Sequence, residues 1–272
     1  MRTIVISGGN SGIGLEAGRQ LVAQGHQVVL LGRDAAKGQA AVASMSAGPG
    51  KAVFLASDLS THAGVKAASE QLLGQYPTID GLLLGAGVLM TREERTADGL
   101  HPVFAVNALS RYHLTQRLFP ALERSSAPTV VILVAQVPLD AAIDFSRYPK
   151  LSPFKGMGDL SAIQISNHHY VMQWAKEHPK VLFGLTNVGL VKTDIMREMP
   201  AFMRGVFTVL GPLVTISVEK AAANAVALST SGGWRTGAYW PKPGKLDQVT
   251  PLQLDLAVSA KVCAAAKELT GI

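Results

Sequence analysis

The chain has 272 residues, of which 48% are hydrophobic and 16% charged, a composition that can bury enough apolar surface to offset its ordering entropy and so excludes a disordered segment. Its formal charge of +6 comes from scattered basic residues without a run of like charge, which argues against nucleic acid as a partner and suits a phosphate-bearing small ligand. A lone cysteine, Cys263, excludes a disulfide framework and a multi-cysteine metal site, and fits a reducing, cytoplasmic setting.

The first element is a strand at 3–7, entered directly from Met1-Arg2 without the apolar stretch of a signal peptide. Further apolar runs that read as buried strands follow at 27–31, 52–56, 81–84, 129–134 and 181–186. Between them helical periodicity predicts helices at 14–24, 35–45, 62–75, 99–123, 159–177 and 219–229. This alternation predicts an α/β fold, a doubly wound parallel sheet of the Rossmann type, in one domain over residues 1–272 without internal repeats. The most apolar later stretch, 205–218, is too short to span a bilayer and contains Gly211-Pro212, so no transmembrane segment is expected.

Directly after the first strand stand Ser7-Gly8-Gly9-Asn10-Ser11-Gly12-Ile13-Gly14, opening a helix. Glycines there let backbone amides approach a pyrophosphate, and the helix N-terminus adds partial positive charge. A tight turn alone would explain the glycines, but the strand–turn–helix setting points to a dinucleotide held by Gly8, Asn10, Ser11, Gly12, Ile13 and Gly14. The second strand ends in Gly32-Arg33-Asp34. An NAD-binding domain usually carries an acid at this point, whereas the Arg33 guanidinium suits the 2′-phosphate of NADP(H). Arg33 also reads as a surface residue with Asp34 capping the next helix, and the two readings are compatible.

With these features the chain resembles the short-chain dehydrogenase/reductase family, and within it the retinol-dehydrogenase-like branch, over nearly its whole length. The resemblance also rests on Ser57-Asp58-Leu59-Ser60, on Gly85-Ala86-Gly87 in place of the family's Asn-Asn-Ala-Gly, on Val106-Asn107-Ala108-Leu109, on the 186–195 loop with Gly189, Val191 and Thr193, and on the stretch from Pro251 to Ile272. It implies that Asp58 and Leu59 border the adenine, that Gly85, Ala86 and Gly87 line the cofactor, and that Gly189, Val191 and Thr193 orient the nicotinamide carboxamide. It further implies subunits paired through the helices at 99–123 and 159–177, as a homodimer or tetramer.

The family's catalytic set is asparagine, serine, tyrosine and lysine, and only the first is present here, as Asn107. Ala135 falls at the serine, with Gln136 beside it; about twenty-five residues on, Leu160 falls at the tyrosine and Gln164 at the lysine, with Ser166-Asn167 in register. Leucine donates no proton, alanine gives no hydrogen bond to a developing alkoxide, and glutamine can bond a ribose hydroxyl but adds no positive charge. A rival alignment puts Tyr148 at the tyrosine, thirteen residues after Ala135, but Ser152 then stands at the lysine and Pro149 and Pro153 oppose the required helix.

His168 and His169 read as structural or interface residues, and no metal-ligand spacing is evident. A segment at about 194–216 is rich in methionine and aromatic residues. It reads as a cover for a hydrophobic small molecule, as core or dimer packing, or as a peripheral membrane helix. Gln136, Tyr148, Met196 and Met199 are assigned to the substrate side. The expected function is an atypical NADPH-dependent carbonyl reductase of a hydrophobic, polyketide-like molecule. The alternatives are a redox-inactive NADP-binding regulator and non-redox chemistry in the same pocket.

Overall fold

The computed structural model describes residues 1–90, 92–191 and 215–272. Six strands follow the expected order: β1 Thr3–Ser7, β2 Gln27–Gly32, β3 Lys51–Ala56, β4 Gly81–Leu84, β5 Thr129–Val134 and β6 Leu182–Asn187. Two short ones, β7 Ala238–Trp240 and β8 Thr250–Pro251, extend the sheet beyond them. The order is β3-β2-β1-β4-β5-β6-β7-β8, parallel throughout except for the antiparallel β7–β8 pair.

Alternation along each strand sends side chains to both faces, and both faces are covered. Val5, Val29, Leu82 and Val130 belong to one core, together with Leu72, Leu118 and Ile163 of α3 (His62–Gln75), α5 (Ser110–Leu122) and α6 (Met157–Glu177). Ile4, Leu30, Leu83 and Val131 belong to the other, with Leu21 of α1 (Gly12–Ala23), Ala41 of α2 (Ala35–Ala43) and Val226 of α7 (Val218–Thr230). α8 (Leu256–Thr270) is bracketed by Asp255, whose carboxylate accepts the Ala257 amide at 2.7 Å, and by Gly271 at φ +73°.

The helix expected at 99–123 is corrected at its start. Gly99 takes φ +73°, outside helical geometry, and the helix opens instead with Pro102 at its first turn. The opening turn α4 (Pro102–Phe104) continues through a π-helical turn, Ala105–Leu109, into α5. Strand order reverses between β1 and β4, and open α/β sheets place ligands in the crevice beyond the carboxyl ends of the strands at such a point.

Candidate functional site

At that crevice the end of β1 is bonded to the end of β4. Ser7 Oγ accepts the amides of Gly85 and Ala86 at 3.1 and 3.2 Å. The turn that follows is anchored by the Gly8 and Gly9 amides, which donate to Leu31 O at 2.9 and 3.2 Å. Gly8 has φ +72°, and a Cβ there would lie 2.8 Å from the Ala86 backbone; a Cβ on Gly14 would lie 2.4 Å from Gly8 O. Backbone therefore packs on backbone, and the first turn of α1 is brought onto the loop. Ser11 caps α1 without a side-chain bond, and no acid sits in the first turn, so this helix end is free of internal anions.

Asn10 lies over the end of β2, since a Cβ on Gly32 would come within 2.7 Å of its side chain. Beside it Arg33 is exposed, while Asp34 Oδ1 accepts the Lys37 amide at 2.9 Å and caps α2. The surface-and-cap reading of this dipeptide is thus met, with the Arg33 guanidinium left exposed. Asp58, exposed beyond β3, uses one carboxylate oxygen to accept from the Ser60 amide and hydroxyl at 3.0 and 2.7 Å, and Leu59 turns into the core.

Asn107 occupies the π-helical turn. Its side chain pairs with the Val88 backbone in both directions, accepting at 2.8 Å and donating at 2.9 Å, and so fixes the loop after β4. The widened turn presents the Asn107 carbonyl to Asn167, whose Nδ2 donates at 3.1 Å; wide turns of this kind are frequent at functional sites. Earlier on α6 Leu160 and Gln164 are half-buried, and the Gln164 Oε1 is buried without a hydrogen-bond partner. Ala135 and Gln136 are exposed just past β5. Gly189, at φ +67°, follows Asn187, whose Oδ1 accepts the Gly189 amide at 2.9 Å; Val191 is buried and bridges to Ile216. Thr193, Met196, Met199 and the rest of the 192–214 stretch lie outside the described residues.

A match to the short chain dehydrogenase model covers residues 2–149. The chain belongs to this family. Over 94% of its length it is 26% identical to the WW domain-containing oxidoreductase of Drosophila melanogaster, and it spans 66% of that protein. It is 24% identical to retinol dehydrogenase 14 of Mus musculus over its whole length, covering 86% of the mouse protein. In architecture it resembles the Pseudomonas aeruginosa RhlG/NADP active-site complex, with a TM-score of 0.70, 22% identity, and coverage of 89% of this chain and 95% of that one.

The position of Tyr148 corrects its assignment to the substrate side. It is only 5% exposed, its ring meets Phe104 edge to face, and its hydroxyl lies 3.4 Å from the Tyr170 hydroxyl inside the core. Burial pushes its pKa up to about 12, despite hydrogen bonds to Ser166 and Tyr170 that oppose the shift. The loop is clamped there by Arg147, which donates to both oxygens of buried Asp159 at 2.7 and 3.1 Å.

The sequence reading missed Arg111. One turn beyond Asn107, it is 4% exposed, with Nη1 donating to Asn167 Oδ1 at 3.3 Å and Nη2 to Ala86 O at 3.1 Å. Arginine is so rarely buried that only its placement four residues after Asn107, on one helix face, hinted at this location.

His168 and His169 are structural within the chain: His168 Nδ1 lies 3.2 Å from Gln164 O, and His169 Nδ1 lies 2.9 Å from Ser259 Oγ on α8. Burial pushes both down to about 4, as it does His113. Unfolded histidine titrates near 6.5. The stability of these neutral rings is therefore complete above about pH 6.5 and is lost as pH falls toward 4, by about 3 kcal/mol per ring. Calorimetry at stepped pH should show Tm falling through that window, and a flat Tm would contradict it. Among the described residues no three His, Cys, Asp or Glu gather as a metal site, and no helix is long and apolar enough to cross a membrane.

Proposed function

We propose that the chain binds NADP(H) and reduces a carbonyl on a hydrophobic small molecule without the family's tyrosine–lysine acid. The observation that carries the reading is the pairing of a close-packed glycine cradle with a wall that lacks a proton donor at Leu160 and Ala135. The residues present fit the cofactor. The cradle at Gly8, Gly12 and Gly14 suits the pyrophosphate, Arg33 the 2′-phosphate, and the orphaned Gln164 Oε1 a ribose hydroxyl. Gly85, Ala86 and Gly87 would line the nucleotide, and Gly189 and Val191 its carboxamide end.

When bound, reduced nicotinamide supplies hydride. The chain contributes position: Asn107 fixes the β4 loop, and Leu160 presents an apolar surface that favours an apolar substrate. No hydroxyl at Ala135 or Leu160 stabilises developing negative charge, so the proton is drawn from solvent or from a hydroxyl on the substrate. Slow, narrow turnover is the consequence.

The missing donors also favour a second reading, a redox-inactive NADP(H)-binding regulator. Incubation with NADPH deuterated at the transferring position, over a panel of hydrophobic ketones, separates the two. Label in product supports reduction, whereas binding without label for any ketone supports the regulator.

Arg33→Ala is expected to weaken NADPH binding about tenfold while leaving NADH binding unchanged, because only the phosphorylated ribose needs the guanidinium. Calorimetric titration with both nucleotides checks this, and equal weakening would remove Arg33 from the 2′-phosphate. Subunit pairing and a cytoplasmic location follow from the resemblance and the single buried cysteine, and belong to the same proposal.

A further inference from the structure

We propose that Arg111 keeps an uncompensated positive charge beneath the nucleotide crevice and thereby biases the site toward reduced, uncharged nicotinamide over the oxidised, cationic ring. The inference rests on the NADP(H) binding proposed above. Its ground is the guanidinium's place in the fold. Arg111 is 4% exposed, its Nε has no hydrogen-bond partner, and among the described residues no carboxylate pairs with it. Among the described residues its hydrogen-bond partners are neutral, the Ala86 carbonyl and the Asn167 side-chain oxygen.

Those partners are the frame of the crevice. Ala86 is the residue on which Gly8 packs, with a Cβ on Gly8 reaching within 2.8 Å of it. Asn167 Nδ2 reaches the Asn107 carbonyl at 3.1 Å and the Gln164 carbonyl at 3.3 Å. One buried cation thus joins the loop after β4 and the middle of α6, beside the π-helical turn. Buried charges are ordinarily paired, because desolvation is costly and an opposite charge offsets it. Burial lowers the guanidinium pKa only to about 9, so it remains charged at neutral pH.

Gln164 on the site's wall is neutral, and the buried positive charge nearby is that of Arg111. The phosphates of the cofactor are alike in both oxidation states, so the difference in affinity isolates the ring charge. A like charge held in the interior disfavours the cationic form. Arg111 touches neither substrate nor cofactor in this scheme and is a positioning residue acting through its field.

The test is the ratio Kd(NADP+)/Kd(NADPH), measured by titration of the full chain. Arg111→Met removes the charge. Asn167→Asp keeps the guanidinium but places a carboxylate beside it, and so carries the test if the first variant fails to fold. Arg111→Lys retains the charge while altering the hydrogen bonds. The ratio is expected to fall about fivefold to tenfold in Arg111→Met and Asn167→Asp, and to stay near its starting value in Arg111→Lys. A ratio that stays constant in Asn167→Asp or in folded Arg111→Met, with both affinities moving in parallel, would overturn the inference in favour of a purely structural role. Absence of binding by either nucleotide to the unmodified chain would instead remove the reading on which it rests, and the inference with it.

Discussion

Replacing Ala135, Leu160 and Gln164 together by serine, tyrosine and lysine is expected to raise the rate of ketone reduction by roughly 10²–10⁴-fold, the usual contribution of a positioned general acid. The substitutions avoid the fully buried core: Ala135 is exposed, and Leu160 and Gln164 are half-buried on the first three turns of α6. Leu160→Tyr alone should gain much less, because an unassisted phenol keeps a pKa near 10 and no hydroxyl at position 135 meets the developing alkoxide. The gain belongs to kcat, since the glycine cradle is untouched and Gln164→Lys can still hydrogen-bond the ribose. Consumption of NADPH in the steady state checks it, with dissociation constants as the control. A folded triple variant with normal NADPH affinity and an unchanged rate would show that these positions do not face the reacting carbonyl.

Gly14→Ala is expected to weaken NADPH binding on the order of a hundredfold and to cost about 1–3 kcal/mol of stability. The new methyl would come within 2.4 Å of Gly8 O, a backbone atom with no freedom to swing aside. Either α1 lifts away or the turn opens, and both disperse the amides that approach a pyrophosphate. Gly74→Ala is the matched control, because a Cβ there meets nothing within 4 Å. It should leave binding unchanged and add about 0.5 kcal/mol through helix propensity. Thermal melts and nucleotide titration distinguish the two, and normal NADPH affinity in Gly14→Ala would place the pyrophosphate elsewhere.

Much of the scaffold was legible because burial on both faces makes parallel strands continuous apolar runs, as in Thr129–Val134. β7 and β8 were not, since segments of three and two residues carry no period; β7 joins the sheet through its pairing with Gly184, Leu185 and Thr186. α8 was not assigned as a helix either, because the stretch from Pro251 to Ile272 was read only through its resemblance to the family; its caps at Asp255 and Gly271 come from the structure. A π-helical turn at Ala105–Leu109 adds one residue to a turn and leaves the apolar spacing nearly intact, so the sequence read as a plain helix there.

The candidate site divided in the same way. Gly8 and Gly14 were legible because their role is backbone geometry, which glycine announces. Tyr148 was not, because its burial depends on Arg147 reaching Asp159 twelve residues away, a contact between loop and helix that follows no period. Arg111 was hidden by the rule that arginine faces water, a rule broken here at the crevice itself.

The most direct measurement is an experimentally determined structure of the NADP complex. Leu160 is expected against the nicotinamide C4, the Gln164 side chain at a ribose hydroxyl, and Tyr148 still bonded within the core. A tyrosine hydroxyl beside C4, with a lysine ammonium at the ribose, would contradict the absence of a built-in acid on which the proposed chemistry depends.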